Sequence, residues 1–522
     1  MKNATKLLLL LGLMAFHSAI GQTGEDFFRI YPRNDKSMMP SCVVETSDSC
    51  YIVAVNAIPN YLDTIPRCGE LFKISADGEL LKTVAINEEE VLYSIDNIFP
   101  DPQRPGIFIG IGLHHGQPYL IHFDEDLNIV FQQLVEIPDE NKHFSSIKSV
   151  MDADNNIVSV LLYDSQSPYF GHRYYAKMTT DGELLRLVED VAEQPAIIEA
   201  NALFLFPDNG QVGIFRRTAA VVHPPIHQVL CKLNNDLEAD SIHGYGSFGH
   251  DTLNLYQVKM LSMTEPALGT VLPLNDTSLL FSYTADQWWT NTNRHDISSV
   301  LFKTDLQGNI KQHLVIGDWN DTLETTGSVL QSADFARCHP FERSFLYQTC
   351  LSRSPDDQQP YLERPNTFFV TKLAITDNFE IIWKKSYSFD NTYLGPRYLM
   401  STNDGGCLVV GYVRKGETYY DDPHYDLFVL KLNASGTVST DEIIVKDELF
   451  FYPNPVRDML HFHFPIEAKP TKIELFDSQG RLVQTQRKSL EQLDVSHLPV
   501  GIYTIRATME DGKAFSDKVV KE

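Results

Sequence analysis

Short runs in which apolar and polar residues alternate recur along most of the chain, each pair of runs meeting at a turn rich in Asp, Asn, Ser and Gly. Seven copies of this strand, turn, strand unit align: LFKISADGELLK from Leu71, LIHFDEDLNIVF from Leu120, YAKMTTDGELLR from Tyr175, VLCKLNNDLEAD from Val229, LFKTDLQGNIKQ from Leu301, FVTKLAITDNFEII from Phe369 and FVLKLNASGTVS from Phe428. The residues that open the turn region are Lys73, His122, Lys177, Lys232, Lys303, Lys372 and Lys431, which sets spacings of 49, 55, 55, 71, 69 and 59. Glycine stands where a tight hairpin needs positive φ in Asp77-Gly78, Asp181-Gly182, Gln307-Gly308 and Ser435-Gly436. Each unit therefore predicts a β-hairpin.

A further apolar strand precedes most copies: CYIVAV at Cys50, GIFIGIG at Gly106, NIVSVLLY at Asn156, SLLFSY at Ser278 and GGCLVVGY at Gly405. Four short strands per repeat are the sequence of a propeller blade, which cannot cover its own two faces and must stack in a ring. The pattern predicts an all-β chain in which residues 22–442 form a β-propeller of seven blades. The early segment DFFRIYP, from Asp26, is expected to pair with the last blade and close the ring. The long intervals between residues 232 and 372 predict rim insertions. Two tandem β-sandwiches are the competing architecture, but they do not explain seven copies of one hairpin.

From about Glu448 the repeat gives way to LFFYPNPVRDMLHFHF, TKIELFDSQGRLVQ and LDVSHLPVGIYTIRATMEDGKAFSDKVVKE. Prolines 453 and 455 set an entry turn, Gln479-Gly480 and Asp511-Gly512 read as hairpin turns, and alternation such as Ile473, Leu475 suits a small immunoglobulin-like β-sandwich over 448–522. The order YPNPVRDML, ELFDSQGRLV, LPVGIYTIR, KVVK resembles the type A C-terminal sorting domain of the type IX secretion system of Bacteroidetes. The resemblance rests on Tyr452, Pro453, Asn454, Pro455, Gly480, Gly501, Tyr503 and Lys518. It implies handling by the type IX machinery, passage across the outer membrane, and release or surface attachment with the module cleaved off. A generic immunoglobulin-like ligand-binding module is the alternative.

The N-terminus fits an exported protein. Lys2 and Lys6 precede an apolar run from Leu7 to Phe16, with small residues at Ala19 and Gly21. This is the layout of a secretory signal peptide over 1–21, cleaved after Gly21, and the run is shorter than a membrane span. A membrane anchor is the alternative reading. No second such run follows, so no transmembrane segment is expected after cleavage. The expected location is the medium or the outer-membrane surface, after Sec export through the periplasm.

The chain has 522 residues and a formal net charge of −26, which loss of Lys2 and Lys6 takes to −28. Such a surface repels phosphate backbones and argues against nucleic acid as a partner. The seven cysteines contain no CxxC pair. In an oxidising compartment Cys42 with Cys50, and Cys338 with Cys350, are candidate local disulfides, whereas Cys231 and Cys407 read as buried thiols.

Candidate chemistry is sparse. The run of Asp152, Asp154, Asn155 and Asn156 offers oxygen ligands to calcium but lacks the EF-hand glutamate, and a polar turn explains it better, so no cofactor is expected. His114, His115, His223 and His227 lack the helical spacing of a zinc pair. There is no GxSxG elbow, no Walker A loop and no complete sialidase box, although SADGEL at Ser75 is similar to part of one. Trp288 and Trp289 in DQWWTNTNR are the candidate ligand contacts, since paired tryptophans among polar residues form platforms for sugars or proteins. Tyr419, Tyr420 and Tyr425 stand in a comparable loop. The leading expectation is a non-catalytic, surface or secreted propeller that binds a protein or glycan through rim loops. The alternatives are a secreted carbohydrate-active hydrolase or lyase with carboxylates in the channel, and a structural member of a surface assembly.

Overall fold

The computed structural model describes residues 26–522, leaving out 34–35, 59–67, 87–93, 139–142, 164–171, 191–195, 221–225, 246–257, 260–269, 290–293, 317–328, 338–344, 354–366, 375–379, 390–392, 416–423, 439–443, 448–449, 453, 465–468, 511 and 513. Among the described residues there are strands and turns but no helix. The expected signal segment, His223, Cys338, Tyr419, Tyr420 and Pro453 lie outside the described residues.

Seven antiparallel sheets follow one another along the body. Blade 1 spans residues 37–85, blade 2 97–134, blade 3 144–190, blade 4 196–245, blade 5 258–316, blade 6 329–388 and blade 7 393–432. The first strand of each blade packs on the first strand of the next, from Ser37–Glu45 against Asn97–Pro100 round to Val329–Arg337 against Tyr393–Ser401. In blade 5 this inner strand is Thr270–Asn275. Tyr393–Ser401 in turn touches Ser37–Glu45, so the inner strands form a closed ring.

The apolar cores lie between blades. Phe72, Val53 and Tyr51 of blade 1 pack with Leu408, Val410, Leu427 and Val429 of blade 7. Ile52 and Leu71, on the other face of blade 1, pack with Phe108, Ile121 and Phe123 of blade 2. Period-2 alternation thus sends one set of side chains to each neighbour. Ring closure joins residues far apart in sequence: Phe27–Tyr31 pairs with His424–Leu432 as the outer strand of blade 7, with Phe27 opposite Lys431 and Tyr31 opposite Leu427. The seventh copy therefore keeps its turn at 433–437 but not its own outer strand, whose place the N-terminal segment takes. This corrects the expectation of seven complete hairpins.

The turns have one geometry. Ser75, Asp124, Thr179, Asn234, Asp305 and Asn433 each accept, through a side-chain oxygen, the backbone N–H four residues on. Gly78 takes φ of +88° there, and a Cβ on it would strike the Phe27 ring. Leu127 and Leu237 hold the same position at φ of 58° and 61°. Both side chains are buried in interblade cores, which offsets a backbone conformation that L-residues rarely adopt.

Cys42 and Cys50 are free thiols, contrary to the expected disulfide. Cys42 is registered with Ala54, while Cys50 lies beyond the Glu45, Tyr51 pair at the other end of that ladder. Burial raises both thiols, Cys50 to about 11, which leaves them protonated.

The C-terminal module has two sheets, one of Phe450–Tyr452, Met459–His463 and Gln492–Asp494, the other of Leu482–Gln486, Pro470–Phe476, Gly501–Met509 and Ala514–Lys521. One core that includes Val456, Leu460, Ile473, Leu475, Ile505 and Val519 fills the space between them. Between body and module, Ile444–Asp447 adds a fifth strand to blade 6 alongside Glu380–Ser388.

Candidate functional site

On the face of the ring that carries the repeat turns, the polar groups are already engaged with one another. Lys431, fully buried, donates to Asp404 Oδ2 at 2.6 Å across its own blade. Lys177 meets Asp152 at 2.7 Å, Lys232 meets Asp208 at 3.6 Å, and Lys73 meets both Asp48 at 3.3 Å and Asp126 of the next blade at 2.9 Å. Lys372 donates to the carbonyls of Ala434 and Gly405, at 3.2 and 3.5 Å, in blade 7. Burial works to raise the Asp404 carboxyl, but hydrogen bonds from Lys431 and Thr402 and the Lys431 charge hold it below its ordinary value. In blades 1, 3, 4 and 7 the turn-opening lysine thus ties a strand to the carboxylate of the preceding turn.

This places the run suggested for calcium. Asp152 Oδ1 accepts the N–H groups of Asp154 and Asn156, and its Oδ2 faces Lys177. Its oxygens serve a turn and an ion pair. Among the described residues no group of three or more His, Cys, Asp or Glu is arranged to hold a metal.

Blade 2 solves the same problem with other residues. Its turn-opening residue, His122, has no exposed surface. Arg104, from the preceding turn, donates to Asp101 at 2.6 Å and to His122 Nδ1 at 2.5 Å, and His122 Nε2 lies 2.8 Å from the Thr180 carbonyl of blade 3. A guanidinium only donates and a carbonyl only accepts, so His122 is the neutral tautomer with its proton on Nε2. Burial, foremost, and the Arg104 charge lower its pKa against the opposing pull of Thr180, Asp101 and Asp181.

The opposite face holds the remaining candidates. Strands Ser278–Trp289 and Arg294–Asp305 are 12 residues each. The first five residues of Ser278–Trp289 lie alongside the inner strand Thr270–Asn275, whose pairing ends at Ser282. Beyond it the hairpin runs on to Trp288 and Trp289, opposite His295 and Arg294, flanked by Val258–Lys259 opposite Gln287 and Asp286. At about 3.3 Å per residue the extension is on the order of 20 Å long. Sequence reasoning singled out the tryptophans but not the long hairpin that carries them; the 71-residue spacing between Lys232 and Lys303 was its only signal.

Other groups on this face are separate from the tryptophan hairpin. His114 and His115, whose rings lie 4.6 Å apart, form the tight turn of blade 2, and His143 reaches the His115 carbonyl at 3.0 Å. His227 sits opposite Thr218 in blade 4. Tyr425 is a core residue, packed edge-on against Tyr412 at 4.9 Å. Near the ring closure, buried Glu70 accepts from Arg33 at 3.3 Å and Lys36 at 3.1 Å, while Asp426 accepts the Arg33 N–H at 3.1 Å. These groups clasp the N-terminal strand to blades 1 and 7, a role with no sequence signature.

In the C-terminal module the motif residues meet across the fold. Asn454 donates to the Lys518 carbonyl and accepts the Val520 N–H, both at 2.9 Å, joining YPNP to the terminal KVVK strand. Val456 extends the junction by donating to Val520 and accepting from Glu522. Tyr503 donates to the Pro499 carbonyl at 2.8 Å, Gly480 takes φ of +73° in its turn, and Gly501 is registered with Lys521. Tyr452 lies opposite His461 and Pro455 follows a cis peptide bond.

Residues 450–522 match the family described as a secretion system C-terminal sorting domain. No curated protein matches the chain in sequence. Among solved structures, the Dos1 propeller is 11% identical, covering 78% of this chain and 81% of that one at a TM-score of 0.37. The extracellular domains 1–2 of Drosophila Semaphorin 1a are 11% identical over 78% of this chain and 88% of theirs, at 0.40. A protein of unknown function from Dyadobacter fermentans is also 11% identical, over 78% and 98%, at 0.39. The closed ring of seven sheets is a β-propeller, and the type IX sorting domain that follows it implies export to the cell surface or the medium. Among the described residues no helix is long and apolar enough to cross a membrane.

Proposed function

We propose that the protein is a surface or secreted capture module whose propeller binds a protein or glycan through the face opposite the repeat turns, with Trp288 and Trp289 as principal contacts. The observation that carries this reading is the blade 5 hairpin, which extends well past its inner strand and ends in those two tryptophans. Aromatic side chains at a projecting tip supply large contact area at little entropic cost. Among the described residues the turn face carries instead charges paired within and between blades. In this reading residues 1–21 are removed on export through the periplasm, no cofactor takes part, and the protein is not an enzyme.

The test is a glycan and protein array probed with residues 22–522, alongside the Trp288→Ala, Trp289→Ala double variant and a panel of chromogenic glycosides. Binding that the variant loses at unchanged melting temperature supports capture. Glycoside turnover that survives the substitutions overturns it in favour of a hydrolase.

A further inference from the structure

The strand Ile444–Asp447, which leads from the propeller to the sorting domain, completes an edge of blade 6. Its register sets Ile444 opposite Ser388, Val445 opposite Tyr387, Lys446 opposite Ser386 and Asp447 opposite Lys385. Among the described residues the outer strands of blades 1 to 5 carry no strand beyond them. An uncovered edge presents a row of backbone donors and acceptors to any extended chain. Blade 6 has such an edge, and the protein's own connecting segment lies on it.

We infer that the outer edge of blade 6 is an acceptor for extended acidic peptide segments, occluded in the intact chain by residues 444–447. Three observations converge on this. The covering strand is only four residues long, so few backbone hydrogen bonds hold it. The acceptor strand carries two buried lysines in succession, of which Lys384 lies over the Phe369 ring at 4.7 Å and Lys385 stands opposite Asp447, and the connecting sequence DEIIVKDEL, 441–449, has four carboxylates and one lysine. The Lys385, Asp447 register then sets unlike charges across the pair, as strand addition with charge selection requires. Ile382 of the same strand remains exposed beyond the covered stretch, an apolar position three residues from Lys385. Departure of the connecting strand, with or without the module that follows it, leaves this edge open to a partner's extended segment of the same character.

The experiment follows a fluorescent peptide of residues 441–449 by anisotropy, titrated with the full chain and with its Val445→Pro, Lys446→Pro variant. Successive residues of a strand point their N–H groups to opposite sides, so one of the two prolines removes a donor facing blade 6. The expected result is binding at least tenfold tighter to the variant than to the native chain, no binding of a scrambled peptide, and a tenfold loss when Lys385→Glu is added. Equal affinity for native and variant chains, no binding to either, or equal binding of the scrambled peptide overturns the inference. A chain ending after residue 442 is a second route to the bare edge should the proline variant misfold. It retains the four strands of blade 6, the closing pair of Phe27–Tyr31 with His424–Leu432, and the interblade cores formed by the described residues.

Discussion

Blade 7 and blade 2 hold their turns by different charges in the same place. In blade 7 the strand supplies the cation, Lys431, and the turn supplies the anion, Asp404. In blade 2 the strand offers the neutral His122, and the turn carries both signs, Asp101 and Arg104. What the repeat keeps is a cation between strand and turn, not a particular residue at a particular position. The difference has a consequence in pH, because acid forces a proton onto a buried neutral imidazole, whereas a buried lysine already carries its proton.

The largest effect is expected from removing a fully buried cation. Lys431→Met leaves Asp404 without its partner and should cost about 3 kcal/mol, read as a lower urea midpoint, since breaking a buried pair strands the other charge. Next comes a transplant of the common solution into blade 2. His122→Lys brings an ammonium against Arg104 and should destabilise by about 1–3 kcal/mol, while adding Arg104→Gln should recover most of that loss. Absence of rescue in this double-mutant cycle would break the equivalence of the two arrangements.

Acid comes third. The folded pKa of His122 lies below its ordinary 6.5, so the unfolded chain takes up the proton first. Stability from this site is fully present above about pH 6.5 and falls as pH drops below it, whereas the lowered carboxyl of Asp404 begins to lose its contribution only near pH 4. His114 and His313 are also lowered by burial, so the readout must be local. Hydrogen exchange at pH 5.5 should rise at residues 101–104 and 179–183 before it rises around 402–406, and the difference should vanish in His122→Gln. The smallest effect belongs to an exposed interblade pair: Arg186→Ala, which frees Asp236 at 2.9 Å, should change stability by less than about 1 kcal/mol.

Much of this fold was legible. Seven copies with an Asp, Asn or Ser turn and an alternating strand on each side foretold seven sheets, and DFFRIYP foretold the closing strand, because both follow from local periodicity. The lysine locks were half legible. Lys73 and Lys431 stood out by position, but their partners Asp48 and Asp404 lie 25 and 27 residues upstream and meet them only once three strands are paired. The Cys42, Cys50 pairing failed because closeness in sequence says nothing about position along a ladder. The strand at 444–447 escaped notice because four residues carry too little alternation, and its partner strand lies in an earlier blade. The sorting motif was plain as a string, yet only the fold explains why Asn454 and the KVVK strand belong together.

In the proposed function the two faces of the ring are divided, one locked by its own charges and the other left to meet a partner. Parallel array binding by Trp288→Ala, Trp289→Ala and by Lys177→Ala, each checked for melting temperature, tests this division most directly. The division predicts that the tryptophan variant loses binding and keeps its melting temperature, while the lysine variant melts lower and still binds. Binding lost through Lys177 and retained without the tryptophans would contradict it.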